Sequence, residues 1–445
     1  MDDAIDGEEK KDDGSFSGRG DDGTAAVLAV GGDQHDAGDE NKEKLLERRR
    51  TGCWKDTYAY NTWISKHPHQ HDHPPSANSP PPQRHEPIKI SGIYSDTLYR
   101  SWLCRSFSLD PSWLSLQTVS VERHADLTTE LFLKRYEQKN IPVLVKGASL
   151  DWPAVRKWKD FEYLARAAGG ATTATTTTTT TTEEVATEKR ETTVFRATSG
   201  AAPLPAKFTM AEYLSYCDPS TGAAEEAPLY LFDRTFAKTC PALLDDFDPA
   251  LRKSCPYFDP QSDHGHDLLG ALGVERRPDF QWIIVGPKRS GSSFHIDPNC
   301  THAWNAPIVG RKRWIFYPPS GPPPPGVHPS PSGDEVAMPV SLGEWFLTYW
   351  NEHVHRRSHF DAAMRPLECT AEPGDVLFVP HGWWHAVLNL DDGPGVALTR
   401  NYVSASNLGD ALRFFDRRVG QISGCRDRRG EAVGPEELGG SFGGR

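Results

Sequence analysis

Three side chains in this 445-residue sequence have the types and spacing to hold a transition metal. His295-Ile-Asp297 lies in a stretch patterned as a strand, Ser293–Ile296. Residues i and i+2 of a strand share a face, so one imidazole and one carboxylate can converge on a point. Two ligands do not make a site. A third comes from His385, which opens the apolar run Ala386-Val-Leu-Asn-Leu390 just after the turn sequence Pro380-His-Gly-Trp-Trp384. Two histidines and a carboxylate on one face leave three coordination positions open, the donor set of non-haem Fe(II) oxygenases. An H-x-D pair alone is weak, since such pairs meet by accident on polar strands. Its weight comes from the stretch Gly374-Asp-Val-Leu-Phe-Val-Pro380 and its continuation to Leu390, patterned as a strand, a tight turn and a second strand that delivers His385 to a fixed place. His381 is the rival ligand in the same turn; His385 is preferred because it borders the strand, where the sheet sets its direction.

An iron site open on three sides needs a co-substrate that supplies electrons, and an anionic one needs a cation inside the fold. In Arg311-Lys-Arg-Trp-Ile-Phe-Tyr317, alternation puts Lys312 on the face of Trp314 and Phe316, so a charge points where apolar groups point. Buried lysines are rare unless paired. A bound carboxylate would satisfy Lys312; the alternative is a surface lysine snorkelling from a strand end.

The elements that position these groups form the block 281–405. Short strands alternate there with turn signals at Trp282–Val285, Ser293–Ile296, Arg313–Tyr317, Val376–Val379, Ala386–Leu390 and Val396–Tyr402. Strands at this spacing predict an antiparallel sandwich or barrel. Pro318–Pro331 reads as a proline-rich loop within it. Upstream, Leu127–Tyr136 has helical spacing, Ile141–Val145 the length of a buried strand, and Phe161–Ala168 and Phe208–Cys217 read as helices. Val194–Ala197 resumes the fold, and Pro228–Phe232 reads as a strand. Between them, residues 169–192 carry the unbroken tract Thr175 to Thr182 and read as a surface insertion. Trp383 and Trp384 are expected to pack the turn that aims His385, and Trp304 to sit in the core. His353, His355 and His359 show no coherent ligand face and are read as solvated.

Composition bounds the rest. Hydrophobic residues are 37%, with 38 Gly and 36 Pro, which favours one sizeable core plus unpacked segments. Of the net charge of −12, residues 1–50 supply −7 (15 Asp/Glu against 8 Lys/Arg), so this acidic segment is expected to be disordered. The remainder is too balanced for an extended nucleic-acid surface. Lys42–Arg50 ends in three arginines, which can serve nuclear import but are read as a solvated helix end. His67, His69, His71 and His73 fall in a proline-rich stretch read as a linker. No apolar run suits a membrane span or a signal peptide. Eight scattered cysteines without a C-x-x-C pair fit a reduced compartment, nucleus or cytoplasm, better than a disulfide framework.

Taken together, His295-Ile-Asp-Pro298, Thr301-His-Ala-Trp-Asn305, Gly310-Arg-Lys-Arg-Trp314, Pro373–Pro380 and Gly382-Trp-Trp-His-Ala-Val-Leu-Asn-Leu390 resemble a Jumonji-C (JmjC) domain. The branch resembled contains the bifunctional arginine demethylase and lysyl hydroxylase. Pro228-Leu-Tyr-Leu-Phe-Asp233, Gly286-Pro-Lys-Arg-Ser-Gly291 and Glu344-Trp-Phe346 extend the resemblance over roughly 110–405. It implies a mainly β fold with α, a double-stranded β-helix (jelly-roll, cupin-like) core with flanking helices. Composition and the resemblance together give the expected layout: a disordered acidic and His/Pro-rich N-terminal region over 1–86, an α/β portion over 87–207 with the insertion 169–192, a JmjC catalytic core over 208–410, and a C-terminal helix and disordered tail over 411–445. By the same resemblance His295, Asp297 and His385 are Fe(II) ligands. Lys312 binds the distal carboxylate of 2-oxoglutarate, Thr399, Asn305 and Tyr230 complete that pocket, and Ser292 lines it. Two departures stand out: Asp391–Gly395 is a longer loop, and Arg400 beside Thr399 replaces a neutral residue and could alter the substrate groove. Gly52–Tyr58 and Ser91–Tyr99 look like the stretch that joins an F-box to a JmjC domain in some relatives.

The implied reaction consumes O2 and 2-oxoglutarate and oxidises a C–H bond of a protein or peptide. Hydroxylation of a lysine side chain is favoured. The alternatives are N-methyl demethylation of arginine or lysine, on histones or other proteins, and a non-catalytic cupin-like binding module. Leu412, Phe415 and Val419, near helical spacing in Ala411–Val419, serve either a homodimer or intramolecular packing.

Overall fold

The computed structural model describes residues 108–425 apart from 109, 170–192, 200–201, 221–224, 226, 259–266, 274–275 and 334. The acidic segment, Lys42–Arg50, the histidine- and proline-rich tract, Gly52–Tyr58, Ser91–Tyr99, the threonine tract and the tail beyond 425 lie outside the described residues.

Eight strands build the core: Gln281–Gly286 (β1), Gly291–His295 (β2), His302–Val309 (β3), Lys312–Tyr317 (β4), Leu367–Ala371 (β5), Val376–Val379 (β6), Trp384–Asn389 (β7) and Gly395–Tyr402 (β8). They form two antiparallel sheets, β6-β3-β8-β1 and β5-β4-β7-β2. The chain changes sheet at each connection except β4 to β5, where the helix Leu342–His359 intervenes. This is the jelly-roll core with flanking helices that the motifs imply. The first sheet grows to nine strands, adding Val143–Lys146 and Ser120–Arg123 beyond β6, and Tyr230–Asp233, Phe195–Ser199 and Ala202–Phe208 beyond β1.

Period-two alternation sorts the side chains. On β7, Trp384, Ala386 and Leu388 face outward into a cluster with Phe294, Ile315, Trp345 and Phe346, the last two from the long helix. His385, Val387 and Asn389 face the opposite way, into the barrel. On β4, Ile315 and Tyr317 join the outer cluster, while Trp314 and Phe316 pack inside with Val387, Leu377 and Ala303. Each large side chain removed from water contributes roughly 1.5–3 kcal/mol, so both layers hold the register. The long helix starts at Ser341, whose hydroxyl accepts from the Glu344 N–H (3.0 Å). Its Trp345 is 1% exposed and donates its indole N–H to the Pro325 carbonyl (2.8 Å).

The sequence reading places most strands within two residues of their observed ends but omits β3 and β5. Pro307 explains β3: proline is rare in a central strand, and here the extra residue Ile308 bulges β3 beside it, Val396 pairing with Val309 and Ala397 with Pro307. The helix expected over Phe208–Cys217 runs Met210–Tyr216, with Thr209 and Glu212 forming a reciprocal capping box. Trp304, Trp383 and Trp384 are buried as expected, and Trp383 donates to the Asn140 carbonyl (2.8 Å). Cys217, Cys240, Cys255 and Cys369 are buried thiols. The C-terminal helix Leu408–Arg417 buries Ala411, Phe414 and Phe415 against Leu269, Val403 and Ile422, so intramolecular packing takes Phe415.

His353 corrects the reading of solvated histidines; only His355 and His359 are exposed. His353 is wholly buried, accepting from the Tyr317 hydroxyl at Nδ1 (2.7 Å) and donating from Nε2 to Glu368 (3.0 Å). Glu368 also binds Arg313 and Arg357 (2.7 Å). Burial alone would raise the Glu368 carboxyl, but the His353 hydrogen bond and the charges around it hold it below the usual range. Helical spacing hides this cluster because its partners come from β4 and β5.

Glu368→Gln should therefore lower stability by about 3–5 kcal/mol, by leaving guanidinium charge buried and uncompensated, read as a fall in denaturant midpoint. Because the folded pKa is depressed, the carboxylate's contribution is complete above the unfolded value near about 4.3 and disappears as pH falls through the folded one. Acid unfolding of the wild type should track that loss, and the Gln variant should show a flatter acid limb. A Cβ on Gly291 would lie 1.8 Å from the Val387 carbonyl oxygen. Gly291→Ala should thus disrupt the β2–β7 pairing, seen as lost amide protection in β7.

Candidate metal centre and its cavity

The β2–β7 pairing sets His295 directly opposite His385, with ring centroids 4.2 Å apart. β2 ends at His295, one residue short of the expected strand end, and Asp297 comes next but one, as the cap of the turn Pro298–Cys300. In that turn Asn299 and Cys300 both adopt left-handed φ, at 59° and 54°, a strained arrangement for side chains other than glycine. Side-chain clamps hold it: Asn299 exchanges two hydrogen bonds with the Ser423 backbone (2.9 and 3.0 Å), and Asn407 donates to the Cys300 carbonyl (2.7 Å). The result aims Asp297 back at the histidines. Its Oδ1 lies 3.8 Å from His295 Nε2 and 3.9 Å from His385 Nε2, and ligand atoms of all three residues fall within 4.8 Å of one another.

The imidazoles are oriented from behind. His295 Nδ1 donates to the Ser293 carbonyl (2.8 Å) and His385 Nδ1 to the Trp383 carbonyl (3.0 Å), which leaves both Nε2 lone pairs facing the carboxylate. Burial, reinforced by His295, drives His385 well below its ordinary pKa and keeps it neutral. Burial raises the Asp297 carboxyl, opposed by His295 and by a hydrogen bond from Asn401. Asp297 Oδ2 is buried without a hydrogen-bond partner. Two aimed imidazole lone pairs and an orphaned carboxylate oxygen fit a divalent metal, and two nitrogens with one oxygen suit Fe(II). His381, the rival, points elsewhere: its Nε2 meets Asp410 on the C-terminal helix at 3.1 Å.

The triad opens into a cavity of about 200 Å3 that Tyr230, Ser292, Asn305 and Thr399 also line. Asn305 Oδ1 is buried there with no partner, and the Thr399 hydroxyl donates to the Trp304 carbonyl (2.7 Å). Lys312 is 1% exposed, so the snorkelling alternative fails. Its ammonium donates to Tyr230 Oη (2.9 Å) and Asn389 Oδ1 (2.8 Å), leaving a third N–H, and among the described residues no carboxylate pairs with it. Desolvation pushes it down to about 7.

Asn389 and Asn401 are functional candidates that the sequence reading left without a role. Asn389 accepts from Lys312 and donates to Ser290 Oγ (2.9 Å) and the Gly286 carbonyl (3.2 Å), tying the lysine to the β1–β2 turn. The signal was available: an amide in the apolar run Leu388-Asn-Leu390, in step with His385. Asn401 lines the cavity beside Asp297 and donates to Thr301 Oγ1 (2.8 Å). Arg400 departs from expectation. Alternation turns it to the outer face, where it binds Asp248 (2.5 Å) and Gln281 (3.1 Å), so it does not shape the triad's cavity.

A family model described as a cupin-like domain matches residues 128–407. An arginine-specific demethylase of Arabidopsis thaliana is 39% identical over 343 residues, 77% of this chain and 57% of that protein. A bifunctional arginine demethylase and lysyl-hydroxylase of Caenorhabditis elegans is 30% identical over 68% of this chain and 65% of its own length. A 2-oxoglutarate and iron-dependent oxygenase of Homo sapiens is 30% identical over 47% of this chain and 46% of its own. The chain thus spans less than two thirds of each of these relatives. With the family match running over more than half of its residues and these relatives alongside, the chain belongs to the cupin-like domain family, in its JmjC branch.

Proposed function

We propose that this protein is an Fe(II)- and 2-oxoglutarate-dependent dioxygenase that oxidises protein side chains, with lysine hydroxylation as its reaction. The observation that carries the proposal is the pairing of the His295, Asp297 and His385 triad with Lys312, a buried cation beside the same cavity that no carboxylate of the described chain neutralises. The names of the relatives, which include a lysyl-hydroxylase and an iron-dependent oxygenase, agree with it.

His295, Asp297 and His385 would hold Fe(II), their backs fixed by backbone carbonyls so that little reorganisation accompanies binding. When bound, the metal supplies the chemistry that couples decarboxylation of 2-oxoglutarate to succinate with insertion of one O2 oxygen into a C–H bond. Lys312 would take the distal carboxylate with its remaining N–H, while Tyr230 and Asn389 keep the ammonium aimed. Asn305, Thr399 and Ser292 would position the rest of the co-substrate. Ile284, Ala303 and Val387 give the cavity apolar walls beside the reacting centre.

N-methyl demethylation is the second reading, favoured by the arginine-specific demethylase among the relatives. Hydroxylation adds about 16 Da to lysine and the product persists. An N-methyl carbon oxidised in the same way leaves as formaldehyde. A purely binding module is disfavoured, since it has no use for an oriented triad beside an unneutralised lysine.

His385→Ala should lose stoichiometric Fe(II) binding in calorimetry together with succinate formation, while circular dichroism stays native. Retained succinate formation would sink the assignment. Lys312→Ala should raise KM for 2-oxoglutarate about 10- to 100-fold, as expected for a charge-assisted bond of roughly 1.5–3 kcal/mol. The free Lys312 ammonium titrates near about 7 and the dicarboxylate binds its protonated form. KM for 2-oxoglutarate should therefore rise as pH increases above that value, with net proton uptake on binding measured across buffers of different ionisation enthalpy. A flat profile would contradict the role of Lys312.

A further inference from the structure

A second, larger cavity of about 1070 Å3 adjoins the triad and has a different character. Pro298, the residue after Asp297, lines both cavities, and Ile296, between the two ligands, lines the second. The end of the C-terminal helix and the segment after it, Arg417 to Gly424, line it together with Gly333, Glu335 and Arg234. Three arginines, Arg234, Arg417 and Arg418, line this groove, Glu335 is the one acidic residue among its described lining residues, and Asp279 offsets Arg234, which leaves an excess of positive charge. The wall is preorganised: Arg418 and Gln421 both donate to the Ser332 carbonyl, at 2.9 and 3.1 Å, and Ser423 is clamped to Asn299 inside the strained turn that aims Asp297. Arg234 is also tied, to Asp279 at 2.9 Å. Arg417 is exposed in the last turn of its helix.

We propose that this groove binds the polypeptide flanking the target residue and selects stretches rich in Asp and Glu. The inference deepens the proposed function by naming a substrate class, and it rests on that reading for the identity of the target side chain. The argument is one of continuity, size and sign. A side chain that enters the triad's cavity must bring its neighbours along the cavity's rim, and Pro298 joins that rim to the groove. The volume exceeds what one side chain fills, so several residues fit. Excess positive charge in a concave site attracts carboxylates and repels a lysine-dense tail, so the same groove that admits an acidic stretch discriminates against basic ones. The target lysine is then a cation within an acidic context.

The test uses the full chain and fluorescent peptides of one length with a central lysine, flanked by Glu/Asp, by Ala/Ser or by Lys/Arg. Anisotropy with Fe(II) replaced by Mn(II), and with 2-oxoglutarate present, measures binding without turnover. The acidic peptide should bind about tenfold or more tightly than the neutral one at about 0.05 M salt, with the margin collapsing at about 0.5 M. Arg417→Glu should erase that margin, Arg417→Lys should keep most of it, and both should retain peptide-independent succinate formation at the wild-type rate. Equal binding of the three peptides, or an acidic preference unchanged in Arg417→Glu, would overturn the inference. So would an RNA oligonucleotide that occupies the groove in preference to the acidic peptide. Acidic preference that depends on Arg417 in a protein that forms no succinate would uphold the groove and reject the oxygenase reading, so the two fail separately.

Discussion

The antiparallel pairing of β2 with β7 is the constraint on which the rest depends. It sets His295 opposite His385, and a slip of β2 by one residue would turn His295 out of the barrel and bring Phe294 in, while the pairing with β4 keeps His385 inside. The register is held from outside. Phe294, Trp384 and Leu388 pack beneath Trp345 and Phe346 of the long helix, so apolar burial on one face fixes polar geometry on the other. Gly291 lets the strands approach where any Cβ would strike the Val387 carbonyl.

The same logic extends along the barrel. β4 places Lys312 inward in step with Trp314 and Phe316, and its pairing with β7 sets Asn389 beside the lysine. Tyr230 reaches the ammonium from outside the eight-stranded core, on a strand added to the edge of β1. The lysine is held by two neutral oxygens, and desolvation pushes it down to about 7, so its charge comes at a cost. A dicarboxylate would complete that shell, as burial without an ionic partner is otherwise unfavourable.

The placement of Asp297 depends on parts distant in sequence. Asp297 lies outside the sheet and is aimed by a turn with two consecutive left-handed residues, which Asn407 and Ser423 restrain from beyond β8. The C-terminal segment therefore has two roles: it braces the turn after the second ligand, and it forms the wall of the neighbouring basic groove. His381 and Asp410 add a further tie between this helix and the turn before His385.

Much of this was legible in the sequence, for a physical reason. Strand alternation is local, so the inward set His295, Lys312 and His385 could be read from period two, and the Jumonji-C motifs supplied the order in which the strands assemble. The capping box at Thr209 and Glu212 is equally local. What resisted reading depends on partners far along the chain. β3 was obscured by Pro307, accommodated where β3 bulges at Ile308 against β8. His353 was read as solvated because its spacing from His355 and His359 gives no coherent ligand face, while Tyr317 and Glu368, which bond it, lie on two strands. Arg400 sits next to Thr399 in the chain, but the pleat turns it to the outer face, away from the triad. The amino-acid sequence by itself determined which residues could bind a metal and which way each strand side chain points, because those depend on residue type and a two-residue repeat. Only the tertiary structure decided that the three side chains meet, that Lys312 has no carboxylate partner among the described residues, and that a basic groove lies beside them, because proximity between distant segments is set by sheet register and packing.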